Sequence, residues 1–229
     1  LQESTDADRS MLDITVTSKG IEKLLCNLHP HKAAGTDQMK HIILKKLSTP
    51  LSPILKHLFQ KSVDSGTLPP IWKDANVTPV YTKGERSNPA NYRPISLTCI
   101  LCKTLEQIVA SSITKHLSKL NIFYELQRGF REKRSCESQL LMLVDDLFNS
   151  VYKKKQIDLT LLDFSKAFDK VSYERLALKL HDYGIRGPAL KWIKGFLDNR
   201  HQSVIVNGSS SEPIPVSFGV LGPLSNLHK

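Results

Sequence analysis

The sequence predicts an α+β fold, with a helix-rich N-terminal part and an antiparallel sheet in the C-terminal part. Three observations carry this. Apolar residues recur at helical spacing through 18–28, 51–65 and 101–120, the period that puts them on one helix face. Leu159, Leu161 and Leu162 form an apolar run too short for a helix, which reads as a buried strand. His201 to Asn207 alternates, Gly208-Ser-Ser-Ser turns, and Pro213 to Val216 returns as a second strand.

Each element has a local reason. Residues 1–17 are polar and read as a linker. Ser18 is expected to cap a first helix carrying Ile21, Leu24, Leu25 and Leu28, which His29-Pro30 ends. Lys32-Ala-Ala-Gly35-Thr-Asp37 reads as a turn before a second helix with Ile42, Ile43 and Leu47. A third helix from about Leu51 to Ser65 turns Ile54, Leu55, Leu58 and Val63 inward and stops at Gly66. Val77 to Tyr81 alternates as a strand, demoted to an edge or a bulge by Pro79. The stretch from there to Leu97 reads as a mobile, loop-rich ribbon.

Leu101 to Leu120 is a long structural helix. The next apolar spacing, Leu140, Leu141, Val144, Leu147, Phe148 and Val151, leaves Asp145 and Asp146 on an outer, solvated face. Ser172 caps a helix with Leu176, Leu180 and Tyr183, stopped by Gly184. Gly187-Pro188 opens another, with Leu190, Ile193, Phe196 and Leu197 on one side and Trp192 at its flank; Lys191, Lys194 and Arg200 give it a basic surface.

The chain has 229 residues, enough to bury a sizeable core, and a formal net charge of +10, which suits a polyanionic partner. No apolar run approaches the length of a membrane span. The polar, acidic start is unlike a signal peptide, and without an initiator Met it suggests a fragment. Cys99 and Cys102 open an apolar helical pattern with no second pair after them, so they read as buried free thiols in a reducing, intracellular compartment; nucleus and cytoplasm are not distinguished.

Chemistry concentrates at Asp158-Leu-Thr-Leu-Leu-Asp163-Phe-Ser-Lys-Ala-Phe168-Asp169. Asp163 ends the expected strand, where a rigid carboxylate suits Mg²⁺, which takes one or two carboxylates plus substrate phosphates. The same residue type in that position also serves as a turn former or helix cap.

Leu162-Asp163-Phe164-Ser165-Lys166-Ala167-Phe168-Asp169 resembles the first palm motif of non-LTR retrotransposon reverse transcriptases. Asn91-Tyr-Arg-Pro-Ile-Ser-Leu97 resembles that family's first fingers motif, and Gln127-Arg-Gly-Phe-Arg131 its second. The resemblance covers roughly residues 32–224 in the family's order, including Asn199-Arg-x-Gln-x-Val204 and the Asn207-Gly208 hairpin. It implies the fingers and an incomplete palm of a right-hand polymerase, without a thumb. The expected divisions are 1–17 linker, 18–70 helical N-terminal extension, 71–156 fingers and 157–229 partial palm.

The implied reaction is RNA-templated addition of deoxynucleotides to a primer 3′-end, a nucleotidyl transfer using Mg²⁺ and dNTPs on an RNA template and DNA primer. Carried over residue by residue, Asp163 is the metal-binding catalytic aspartate. Phe168 is the aromatic gate against a 2′-hydroxyl, Arg93 and then Lys83 contact the triphosphate, and Gln127, Arg128 and Arg131 contact the template.

The resemblance breaks at Ser217-Phe-Gly-Val-Leu-Gly-Pro-Leu224, where the family's Pro-Gln-Gly segment is missing, and no aromatic-x-Asp-Asp turn follows Asp163. One family carboxylate out of three is expected to leave residues 1–229 inactive as a polymerase on their own. A catalytically dead nucleic-acid-binding remnant and a helical interaction module are the alternatives.

Overall fold

A computed structural model describes residues 10–164, 167 and 170–216. Helices α1 (Ser18–Cys26), α2 (His41–Lys46) and α3 (Ser48–Ser65) precede strand β1 (Asp74–Tyr81). Strand β2 (Tyr92–Thr98) leads into α4 (Ile100–Lys119), followed by α5 (Cys136–Tyr152), α6 (Tyr173–Asp182) and α7 (Gly187–Leu197). Strands β3 (Arg200–Val206), β4 (Ser209–Ser210) and β5 (Ile214–Val216) complete the described elements.

The sheet is mixed where an antiparallel one was expected. β2 and β1 form an antiparallel hairpin with Tyr81 opposite Tyr92, and β3 lies parallel to β1 with Asp74 opposite His201. β4 and β5 both pair antiparallel with β3. A parallel pair needs a long crossover, which residues 82–199 supply, and alternation within one strand carries no record of its neighbour's direction. Pro79 sits opposite Pro94, so two residues that cannot donate face each other across the hairpin.

The expected strand at 159–162 is absent. Residues 157–164 have no regular secondary structure, and Leu159, Leu161, Leu162 and Phe164 are exposed. No described strand runs beside this stretch to take up its backbone groups, and no layer covers its side chains. Residues Ser165, Lys166, Phe168, Asp169 and 217–229 lie outside the described residues.

The core joins α1, α3, α4 and α7 around Ile21, Leu25, Phe59, Leu105, Trp192 and Phe196. The helix faces differ from the sequence reading in a consistent way. On α2, His41 and Leu44 are buried while Ile42, Ile43 and Leu47 are exposed. On α3 the inner face is Ser48, Ser52, Leu55, Phe59, Ser62 and Val63, with Ile54 and Leu58 outside. Small serines occupy the interface because α3 meets its neighbours closely; the Gly66 carbonyl, just past its end, lies 2.6 Å from where a Cβ on Gly195 of α7 would stand. Gly66 ends α3 at φ 67°, as expected.

Two caps and one terminus also differ. Thr17, not Ser18, caps α1 by accepting from the Gly20 N–H. The segment before it, read as a linker, is packed within the described residues: Ile14 and Val16 are buried, and Gln60 of α3 bonds both backbones. Ser172 caps α6 and Pro188 starts α7, as expected. Trp192 and Arg200 are buried rather than flanking or surface residues.

Candidate nucleic-acid interface

Lys83 and Arg93 both belong to the β1–β2 hairpin, and its connection is braced. Thr82 donates its backbone N–H and its hydroxyl to the Asn91 carbonyl, at 2.9 and 2.6 Å. The Tyr81 hydroxyl donates to the Gly84 carbonyl at 2.6 Å, Asn91 Nδ2 to the Glu85 carbonyl at 2.8 Å, and the Tyr92 hydroxyl to the Arg86 carbonyl at 2.8 Å. The Tyr81 and Tyr92 rings meet edge to face at 5.6 Å, and the Arg86 guanidinium lies over Tyr81 at 5.2 Å. Gly84 is required here: its φ is 91°, and a Cβ would meet Asn91 Nδ2 at 2.5 Å.

The hairpin therefore presents Lys83, Arg86 and Arg93 from a fixed loop and strand rather than from a mobile ribbon. All three are exposed, and Arg93, on β2, stands opposite Val80 of β1. An exposed guanidinium on a fixed strand can receive phosphate oxygens in a fork-like geometry.

The 124–134 loop is organised differently. Gln127 is exposed and donates to the Gly129 carbonyl at 3.1 Å. Its arginines are half-buried and turned into the loop: Arg131 stacks on Phe123 at 4.6 Å, Arg128 meets the Met142 sulfur, and Arg134 donates to the Glu125 and Gln127 carbonyls. Arg128 and Arg131 thus have intrachain positions that hold the loop together, while Lys133 remains exposed.

Asp163 is exposed in the irregular stretch after α5, and Phe168 lies outside the described residues. Asp145 and Asp146 are exposed on helical α5, as expected for a solvated face. Among the described residues no group of three or more His, Cys, Asp or Glu side chains is arranged to hold a metal ion.

An ionic group around the buried Arg200 escaped the sequence reading. Arg200, 2% exposed, opens β3, donates from Nη1 to the Phe196 carbonyl at 2.8 Å, and stacks on the Phe196 ring at 4.6 Å. It faces Glu106 of α4, whose carboxyl is pushed up to about 7 by burial, against the opposing pull of Arg200 and Lys103. Burial lowers His41, where Lys103 and Lys32 both add. The signal was legible: Glu106 lies one turn after buried Cys102 and beside buried Leu105, on the inner face of α4.

Cys99 and Cys102 are buried free thiols, as expected. Cys99 Sγ donates to Asp37 Oδ2 at 2.9 Å, tying the Gly35-Thr-Asp37 turn to the start of α4. Burial, then the Asp37 carboxylate, pushes its pKa up to about 12; burial likewise raises Cys102.

Residues 81–221 match the family model described as reverse transcriptase (RNA-dependent DNA polymerase). The chain is 26% identical over 234 residues to the probable RNA-directed DNA polymerase from transposon BS of Drosophila melanogaster, covering 97% of this chain and 26% of that protein. It is 28% identical over 200 residues to the probable RNA-directed DNA polymerase from transposon X-element of the same organism, covering 85% and 22%. With the retrovirus-related Pol polyprotein from type-1 retrotransposable element R2 of Popillia japonica it shares 25% over 202 residues, covering 87% and 27%. The chain spans about a quarter of the length of these relatives.

Proposed function

Because the chain belongs to the reverse transcriptase (RNA-dependent DNA polymerase) family, we propose that it is the part of a retrotransposon polymerase that receives the nucleotide and the template, and that residues 1–229 bind nucleic acid without extending a primer on their own. The observation that carries this reading is the braced β1–β2 hairpin, whose connection and second strand lie inside the matched region and hold Lys83, Arg86 and Arg93 out to solvent. In the proposed assignment Arg93 and Lys83 meet the triphosphate, Gln127, Arg128 and Arg131 meet or shape the template path, and Phe168 gates the sugar. The divisions into extension, fingers and partial palm are part of the same proposal.

Two-ion phosphoryl transfer uses metals to neutralise the phosphates and stabilise the attacking and leaving oxygens. Asp163 offers one hard oxygen ligand, but the described residues gather no group of three such ligands around it. They do not by themselves fit a two-ion centre, and no chemical step is derived through one. Binding is a different matter: the chain carries 32 Lys and Arg against 22 Asp and Glu, and phosphate contacts need no metal.

The test has two arms. In the first, purified chain is offered an RNA template, a DNA primer, dNTPs and Mg²⁺; no extension is expected, and Asp163→Asn should change nothing. Extension abolished by Asp163→Asn would overturn the inactive reading. In the second, affinity for single-stranded RNA is followed against salt. A steep fall is expected, and salt-independent or undetectable binding would sink the binding reading.

A further inference from the structure

Strand β1 carries one row of side chains out of the core. Ala75 and Val77 are 2% and 6% exposed, whereas Tyr81, further along the same face, is 37% exposed. Its cross-strand partner is Tyr92, and the two rings meet edge to face. Arg93, paired with Val80, falls on the opposite face. The far end of the hairpin therefore has an aromatic face and a separate Arg93 face.

Arg86 covers the aromatic face and is held at both ends. Its carbonyl accepts from the Tyr92 hydroxyl at 2.8 Å, and its guanidinium lies over the Tyr81 ring at 5.2 Å. Tyr81 is itself fixed, because its hydroxyl donates to the Gly84 carbonyl at 2.6 Å. Arg86 is nonetheless exposed, and among the described residues no carboxylate pairs with its guanidinium. A guanidinium is planar, delocalised and weakly hydrated, so a flat π-surface can lie against it. Holding it in place beforehand removes much of the side-chain entropy that stacking would otherwise cost.

We propose that Arg86 is a stacking platform for an unpaired nucleobase, with Tyr81 as its backing. This assignment rests on the nucleic-acid reading of the hairpin and names the part of the strand that meets Arg86. The ligand is single-stranded, because bases in a duplex keep their faces against their neighbours, whereas unpaired bases stack on aromatic rings and guanidinium planes. The platform reads no base edge, so it carries no sequence preference beyond stacking strength. Phosphate contact and base contact are then divided between the two faces of one hairpin, Arg93 on one and Arg86 on the other.

The test offers the full chain two oligomers of equal length and charge: single-stranded oligothymidylate, and the same backbone with tetrahydrofuran abasic units in place of the bases. Oligothymidylate should bind about tenfold tighter. Arg86→Lys keeps the charge and loses the plane, so the two affinities should come within about twofold of each other while the salt slope stays as it was. Arg86→Trp supplies a plane without the charge; the base preference should persist and the slope should fall by about 0.7. Arg93→Ala, on the other face, should weaken both oligomers alike. Equal affinity of the wild-type chain for the two oligomers, a base preference that survives Arg86→Lys, or its loss in Arg86→Trp would overturn the platform and leave phosphate binding standing. Failure to bind either oligomer would remove the nucleic-acid reading itself, and the platform with it.

Discussion

Trp192 Nε1 donates a hydrogen bond to Ser62 Oγ at 3.1 Å, a buried contact between α7 and α3 across 130 residues of chain. Ser62 in turn donates to the Thr67 carbonyl at 2.6 Å, so one hydroxyl fixes both the indole and the turn after α3. Trp192 also stacks on Phe196 at 5.3 Å. The contact brings the C-terminal helix against the N-terminal ones and thereby sets where β3 begins.

Ser62→Ala leaves a buried indole N–H unpaired and should destabilise the chain by about 1–3 kcal/mol. Urea unfolding followed by tryptophan fluorescence measures it. Trp192→Phe in the same background should then add less than it does alone, since the unpaired group is gone. Full additivity would count against the bond.

The half-buried Glu106, beside buried Arg200, makes stability depend on pH with a definite sign. Its folded pKa of about 7 stands above the unfolded value of 4.5, so the folded state holds the proton longer. Stability should fall as pH rises from 4.5 to 7, by no more than about 3 kcal/mol, and stay reduced above that window. His41, lowered by burial, acts oppositely by weakening the fold as pH drops through its ordinary range. The difference between wild type and Glu106→Gln isolates the carboxylate, and a difference that is flat across the window would contradict its burial.

Gly35 is a steric requirement. A Cβ there would lie 2.4 Å from the Thr98 carbonyl oxygen and 2.8 Å from the Cys99 backbone nitrogen, neither of which can move without shifting β2 or α4. Gly35→Ala should therefore lower stability by about 2–3 kcal/mol. Gly129→Ala, with nothing within 4 Å of the new methyl, should stay within about 0.5 kcal/mol of wild type. Chemical denaturation of the pair is the comparison, and equal losses would refute the steric argument.

Exposed and inward-turned basic residues should separate experimentally. Arg93→Ala and Lys83→Ala should weaken RNA binding and reduce the salt slope by about 0.7 for each phosphate no longer neutralised, with melting temperature unchanged. Arg131→Ala removes the stack on Phe123 and should lower melting temperature first. A drop in melting temperature on Arg93→Ala with no change in slope would reverse these assignments.

Thiol labelling tests the burial of the cysteine pair. Cys26 and Cys136 are exposed and should react at once with a disulfide reagent, while Cys99 and Cys102 should wait for unfolding. Rapid labelling of all four in the native chain would show that the start of α4 is open.

Much of this was legible in the chain itself: the long α4, the Gly66 stop, the Ser172 and Pro188 starts, the solvated acids of α5, the buried thiols, and the family, carried by short ordered motifs. These depend on local backbone preferences and on side-chain identity, which a sequence states directly. Pairing was not legible. That β3 runs parallel to β1, that Asp158 to Leu162 finds no strand partner, that α3 turns serines inward, and that Arg200 is sealed against Phe196 opposite Glu106 all depend on which surfaces meet. Local periodicity says that a face is apolar, whereas the neighbour that covers it, or leaves it bare as on α5, is chosen only when distant segments compete for the same contacts.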